Sequence, residues 1–444
     1  MTAFDCGLER LRRLTRMAVV GAATVVVLST THLLAWERDI PGDGEARSVA
    51  VTQVGDIIAA GQLFSSDPLH PGGIGVVKFS GSTGATLWQR ILPGDTRKLA
   101  LDSRDNVVVA AFDFGRFTVI KLGGKNGTVR WRNRRRRGAP FAIATDSRGN
   151  VAVAGSLGSV EAYTPGAAWV VLKLSAIDGR ERWHRIIRGG VGAQNTGFDT
   201  ALSVAVDAVG DVVAGGFTVL VPGDSSILQM TIMKLAGRDG HQIWRRDIPA
   251  EAPGASSLAN AVRIDPAGDV IVAGSTGVTL QENAGVVVKL AKSTGQELWR
   301  RLIGSGGDIA VDRDGAVIVA GGLTQAGTSN IDLAAFKLSG DDGRELWRFS
   351  IDGTRHIEDL AEAVALDSAG NPVVAGFVQN LTTGPDLIAL KLDAASGTEM
   401  SRWMIATGQA DIAWAVATDS AGHAIVGGST AHDIDSFFTV ATFP

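Results

Sequence analysis

Tryptophan recurs through this chain at intervals of about fifty residues: Trp36, Trp88, Trp131, Trp183, Trp244, Trp299, Trp347 and Trp403. Around seven of them a longer phrase repeats. It runs A-V-x-D-x-x-G, a V-V-V-A-G run, a variable stretch, V-V-K-L, a Gly-containing turn and L-W-R. A period of this length is one supersecondary unit copied along the chain, with neighbouring copies burying one another's apolar faces. That constraint overrides the several domains that 444 residues would otherwise suggest.

One copy is legible over residues 361–403. AEAVALD alternates up to Asp367, SAGN (368–371) is a turn signal, and PVVAG is a short apolar run. DLIALKL (386–392) is a second such run, AASG (394–397) a second turn, and a last segment ends at Trp403. No stretch has helical period. The two middle strands are apolar on both faces, so both faces must be covered, as when twisted sheets pack around a ring. The expected fold is all-β: an eight-bladed β-propeller of four-stranded blades. The count comes from the small residues closing the second strand: Gly61, Ala111, Gly155, Gly215, Gly274, Gly321, Gly376 and Gly428. The Trp-bearing strand is out of step with that series. Residues 34–40 should therefore supply the outer strand of the last blade, whose other three strands come from 413–443. This closes the ring and removes exposed sheet edges.

Residues 1–31 read differently. Arg10, Arg12, Arg13 and Arg16 precede an apolar run at 17–28, the pattern of a secretory signal, or of an uncleaved anchor over 17–35. The domain expectation is a signal at 1–31 and one propeller at 32–444, exported to the periplasm or beyond and monomeric. The only cysteine, Cys6, precedes the apolar run, so it cannot carry a lipid and the exported part holds no disulfide. A net charge of −4 gives no reason to expect nucleic acid. A membrane would be met only through an uncleaved N-terminal segment.

The segments TGATLW (83–88), DGRERW (178–183), DGHQIW (239–244), TGQELW (294–299) and DGRELW (342–347) resemble the tryptophan-docking motif of quinoprotein-type (PQQ-like) propellers. DSRGNVAVAG (146–155) and DSAGNPVVAG (367–376), with DLIALKLD (386–393), are similar to the SBBP-type bacterial propeller repeat. The quinoprotein resemblance implies pyrroloquinoline quinone, calcium and oxidation of alcohols or sugars. The chain has no cysteine pair for the vicinal disulfide that several of those enzymes carry, and no acidic or amide calcium cluster is visible. The same propeller serves without cofactor in the periplasmic lipoprotein of the outer-membrane β-barrel assembly machine, which implies a scaffold role. Kelch repeats share the Gly-Gly after the second strand but lean on a repeated tyrosine, and here Tyr163 is alone.

Residues repeated in every blade serve the fold, whereas a site needs asymmetry. Lys78, Lys121, Lys173, Lys234, Lys289, Lys337 and Lys391 should lay their stems on a neighbouring blade and meet the repeated aspartates Asp102, Asp146, Asp207, Asp265, Asp312, Asp367 and Asp419. The tryptophans should pack between blades. Asp312-Arg313-Asp314-Gly315 resembles a calcium loop but lacks the further ligands of one. The seven histidines form no metal pair, and no nucleophile motif is present.

The turns between first and second and between third and fourth strands are uniform. Those on the opposite face vary, and variable loops on a rigid frame are where binding evolves. Arg130, Arg132, Arg134, Arg135, Arg136 and Arg137 run off a blade boundary into a loop and are the candidate partner-binding residues. Asp199, Asp359 and Asp411, each eight residues before a repeated aspartate, either cap turns or face a common mouth. Five residues before the repeated aspartate the chain reads Arg47, Arg97, Phe141, Leu202, Asn260, Gly307, Glu362 and Trp414, diverse where other positions are uniform. Of these, Trp414 and Glu362 lead as ligand contacts, with Asn260, Arg47 and Arg97. The functional expectation is an exported, non-enzymatic scaffold binding a protein, glycan or envelope component through its variable-loop face, with no metal or cofactor. The alternative is a quinoprotein-like oxidoreductase holding pyrroloquinoline quinone with calcium in the central channel.

Overall fold

The computed structural model describes residues 35–63, 73–135, 137–158, 167–189, 198–220, 227–252, 254–277, 284–325, 328, 330–432 and 435–444. The proposed signal or anchor therefore lies outside the described residues, apart from Ala35 at the end of the anchor range. Among the described residues every regular element is a β-strand. They form six four-stranded antiparallel sheets and one of seven strands. The larger sheet is two blades sharing a strand, Trp36–Val51. Its first half pairs with Asp435–Phe443 (Trp36↔Thr442 to Asp43↔Phe437), and its second half with Ile57–Leu63 (Gly44↔Leu63 to Val51↔Ile57). The protein is thus an eight-bladed β-propeller, with the N-terminal strand closing the last blade as expected. Blades 1 to 7 span residues 44–92, 95–134, 138–187, 200–248, 256–303, 305–351 and 360–405. Blade 8 joins residues 412–443 to 36–43.

The strands follow from residue pattern. Middle strands such as Gly73–Phe79 and Ala168–Leu174 are buried along their whole length, because a neighbouring blade covers each face. Outer strands alternate, and in Glu181–Ile187 only Trp183 and Ile187 are buried. The apolar core divides into eight clusters, one at each junction between blades, including the junction of blades 8 and 1, which holds Trp36, Ile40 and Phe438. The apolar interior lies between the blades, and the centre of the ring is a channel.

One interlock repeats at the junctions. The Trp88 indole N–H and the Lys78 ammonium both donate to the Gly124 carbonyl of the next blade, at 3.1 and 3.3 Å. Trp131 and Lys121 share Ala176 O, Trp299 and Lys289 share Gly340 O, and Trp347 and Lys337 share Ala394 O. A second hand of each lysine meets an aspartate of its own blade: Lys121–Asp102 at 2.7 Å, Lys173–Asp146 at 3.0 Å and Lys391–Asp367 at 2.8 Å. In blade 1, where Thr52 replaces the repeated aspartate, Asp56 substitutes, 2.8 Å from Lys78. Burial by itself would raise the carboxyls of Asp102, Asp146 and Asp367. The lysine, asparagine side-chain and backbone donors overcome it and hold all three below the usual range. The turn glycine of the next blade closes the lock. Gly295 has φ +65°, and a Cβ there would lie 2.6 Å from the Trp244 ring.

Every tryptophan of the series packs between blades as expected, but one of them sits in a different register. In blades 1 to 6 the tryptophan pairs with the repeated lysine, as in Lys121↔Trp131. In blade 7 Lys391 pairs with Ser401, and Trp403 sits two residues further on, opposite Ala389. The reason is topological. The docking turn of the next blade would connect its third and fourth strands, but in blade 8 those strands are the two ends of the chain. With no turn to dock on, Trp403 stacks on Phe443, ring centroids 5.3 Å apart at 24°. Trp36 keeps the standard position, donating to Gly81 O at 2.8 Å. Trp169 is fully buried in the cluster between blades 3 and 4.

Candidate functional site

Each inner strand departs from regular pairing at the same place. A one-residue bulge interrupts every one, for example between Ala46 and Ser48, Ala361 and Ala363, and Ala413 and Ala415. The extra residues are Arg47, Arg97, Phe141, Leu202, Asn260, Gly307, Glu362 and Trp414, the chemically diverse set of the sequence. A bulged residue leaves the ladder and re-aims its side chain, so pairing places no demand on its chemistry. This accounts for diversity amid uniform neighbours.

Six of the eight line a central channel of about 450 Å³: Phe141, Leu202, Asn260, Gly307, Glu362 and Trp414. Arg47 and Arg97 do not. Arg47 is bound to Glu45 and lies 3.5 Å from Asp95, while Arg97 lies 3.7 Å from Asp95 and over the Phe141 ring. The channel therefore unites three of the five candidate ligand contacts, Asn260, Glu362 and Trp414. The two arginines form a separate ion-paired group at its edge.

Three charged residues of the channel escape sequence reasoning: Lys98, Arg263 and Asp308. Three positions past each bulge the chain has Ala50, Ala100, Ala144, Ala205, Ala310, Ala365 and Ala417, and Arg263 in blade 5. That single break in an alanine series was the available signal. Arg263 Nη2 lies 2.7 Å from Asp308 Oδ1, and Asp308 Oδ2 accepts the Val364 N–H at 3.3 Å, so the pair ties blades 5, 6 and 7. Asn260 Nδ2 donates to Gly306 O at 3.1 Å. Glu362 has no hydrogen bond or ion pair among the described residues. Burial, then Glu358, pushes its carboxyl up, and Lys98 partly opposes them. Lys98 also has no direct ion pair among the described residues. The Trp414 Nε1 is enclosed and without an acceptor, so Trp414 offers the channel its ring and not its N–H.

The arginine-rich stretch is less of a loop than its charge suggests. Arg130, Arg132 and Arg134 lie on the outer strand Val129–Arg134 of blade 2 with exposed side chains, while Trp131 faces the core. Arg134 meets Asp113 at 2.5 Å. Arg135 takes the place of the apolar residue that ends most outer strands (Leu92, Ile187, Ile248) and is paired with Glu181 of blade 3, its burial lowering its pKa. Arg137 is exposed at φ +28°. Arg136 lies outside the described residues.

The aspartates eight residues before the repeat cap turns. Asp199 accepts the N–H groups of Gly189 and Val219, Asp359 those of Gly353 and Gln379, and Asp411 those of Thr407 and Ala431. Burial raises all three carboxyls. Asp312 is likewise an ordinary turn residue, accepting from the backbone of Asp314 and Ala316 and from Lys337.

Calcium with a quinone would need a nest of six to eight oxygen ligands. Among the described residues no group of three or more His, Cys, Asp or Glu could hold a metal. Of the channel carboxylates, Asp308 is already engaged by Arg263. These residues do not fit the calcium–quinone pair.

The profile of the family described as outer membrane protein assembly factor BamB matches residues 22–218, 198–338 and 229–431. No curated protein matches. Among solved structures, BamB from Moraxella catarrhalis aligns at 13% identity over 93% of this chain and 99% of that chain, TM-score 0.56. Quinohemoprotein alcohol dehydrogenase from Comamonas testosteroni aligns at 14% identity over 95% and 78%, TM-score 0.61. The C-terminal WD40 domain of Sif2 aligns at 10% identity over 93% and 99%, TM-score 0.59. At these identities the structural likeness is one of fold.

Proposed function

Because the chain belongs to the PQQ-like β-propeller family of outer membrane protein assembly factor BamB, we propose that it is an exported scaffold that binds a protein of the cell envelope. The observation that carries this reading is the division of labour in the ring. The repeated Trp, Lys, Asp and Gly are used up in locking blades together, while the asymmetric residues line the channel or stand on the outer strands. There Arg130 and Arg132 stand exposed and without a partner among the described residues, and Arg182 stands exposed on the outer strand of the next blade. This basic strip suits an acidic protein surface. The double variant Arg130→Glu/Arg132→Glu should keep its melting temperature, because both side chains are solvated. It should lose about tenfold in capture of its envelope partner and much of the salt dependence of binding. Unchanged capture from envelope extracts would remove the strip from the interface.

The oxidoreductase reading retains one favouring observation, a channel large enough for a cofactor. Pyrroloquinoline quinone with calcium, added to the full chain, should give no thermal shift and no dye reduction with alcohols or sugars if the scaffold reading is right.

A further inference from the structure

Two charged groups of the channel are not used by the fold. Glu362, the bulged residue of blade 7, holds a partly buried carboxylate with no donor among the described residues. Lys98, beside the bulge of blade 2, holds an ammonium with no carboxylate among them. The two line one cavity and feel one another's charge, yet form no ion pair. Of the other charged groups nearby, Arg263 is paired with Asp308, and Arg47 and Arg97 with Glu45 and Asp95, while Glu358 is exposed to solvent. Leaving a carboxylate in a confined, partly desolvated space without a hydrogen bond is costly, and a fold that needed no ligand there would gain by losing it. At the position of Lys98, one past the bulge, four blades place alanine in the channel wall (Ala142, Ala261, Ala363 and Ala415), so a bland wall was readily available to this sequence.

We propose that the channel binds a small zwitterion with an ammonium at one end and a carboxylate at the other, the chemistry of an amino acid or short peptide. The ammonium lies against Glu362, and the ring of Trp414, bulged from the adjacent blade, flanks it through cation–π attraction. The carboxylate lies against Lys98. The ligand supplies the connection that the two side chains do not make directly. Phe141 and Leu202, bulged from blades 3 and 4, give its backbone an apolar wall. This goes beyond the scaffold reading and is independent of the Arg130/Arg132 strip, so either can fail alone.

Triglycine, N-acetyl-triglycine and triglycinamide separate the requirements, because the second lacks the ammonium and the third the carboxylate. Isothermal titration of the full chain should show triglycine binding and both blocked peptides weakened by about tenfold or more. Glu362→Gln should lose triglycine to the same extent without a fall in melting temperature, Lys98→Met likewise, and Trp414→Leu should weaken it severalfold. Failure of triglycine, unblocked dipeptides and free amino acids all to bind would overturn the inference. So would binding of triglycinamide equal to that of triglycine and indifferent to Lys98→Met, since the site would then be a simple cation site. The Arg130→Glu/Arg132→Glu variant should bind triglycine normally.

Discussion

Lysine at the repeated position would be an expensive core residue if it did not reach two acceptors. Lys121 has a side chain only 4% exposed, against 5% for Asp102, and it donates both to that carboxylate and to Ala176 O of the next blade. Removing one partner strands the other, which is the costly way to break a buried pair. Lys121→Met should therefore destabilise the protein by about 3 kcal/mol in denaturant unfolding. Adding Asp102→Asn should recover part of the loss, since the amide still accepts from the turn N–H groups of Arg104 and Asn106. The tryptophans follow the same logic with apolar surface: each removes about 200 Å² from water, on the order of 5 kcal/mol before entropy. These residues could be read from sequence because they recur. The channel residues Lys98, Arg263 and Asp308 could not, because each is singular and acquires meaning only when distant blades face one another.

At the scale of the element, the closing strand is the unusual one. Its Glu37 occupies the position filled by Arg245 in blade 4, where that arginine draws down the Asp199 carboxyl. In blade 8 the reversed charge sits near Asp39, which accepts from Thr439 at 2.7 Å, and near Asp411. Burial, then Asp39, then Asp411 raise Glu37 from 4.5 to about 7. An acid whose folded pKa lies above its unfolded one binds more protons when folded. Protonated Glu37 therefore leaves stability intact at pH values below about 4.5, and stability is lost progressively as pH rises through about 7. Glu37→Gln should stabilise the protein at pH 8 by on the order of 2 kcal/mol and hardly at all at pH 4.5, read as melting temperature across that range. The bulges belong to this scale too. Residue diversity marked their place correctly, but a bulge is a relation between two strands, so the sequence of one strand does not reveal it. Nor did it reveal that ion pairs hold Arg47 and Arg97 away from the channel.

At the scale of the molecule, the ring depends on one strand serving two blades. Trp36–Val51 pairs with the last blade through its first half and with blade 1 through its second. Deleting residues 32–42 should leave Asp435–Phe443 as an open edge and uncover the cluster around Phe438. The expected result is a loss on the order of 5 kcal/mol, with concentration-dependent aggregation in light scattering. A truncated protein that melts like the whole would mean that another segment closes the ring.

The amino-acid sequence alone determined the unit, its eightfold repetition and the offset that makes the N-terminal strand close the ring. All three are written as periodicity, and periodicity survives without coordinates because every blade must solve the same packing problem. It also marked where diversity begins, at Asn260, Glu362 and Trp414. Only the tertiary structure decided why Trp403 leaves its series, since the missing docking turn appears only once the chain ends meet. It alone brought Lys98 of blade 2 and Glu362 of blade 7 into one channel. A site at the centre of a ring is made by residues far apart in the chain, and closure of the ring is what brings them together.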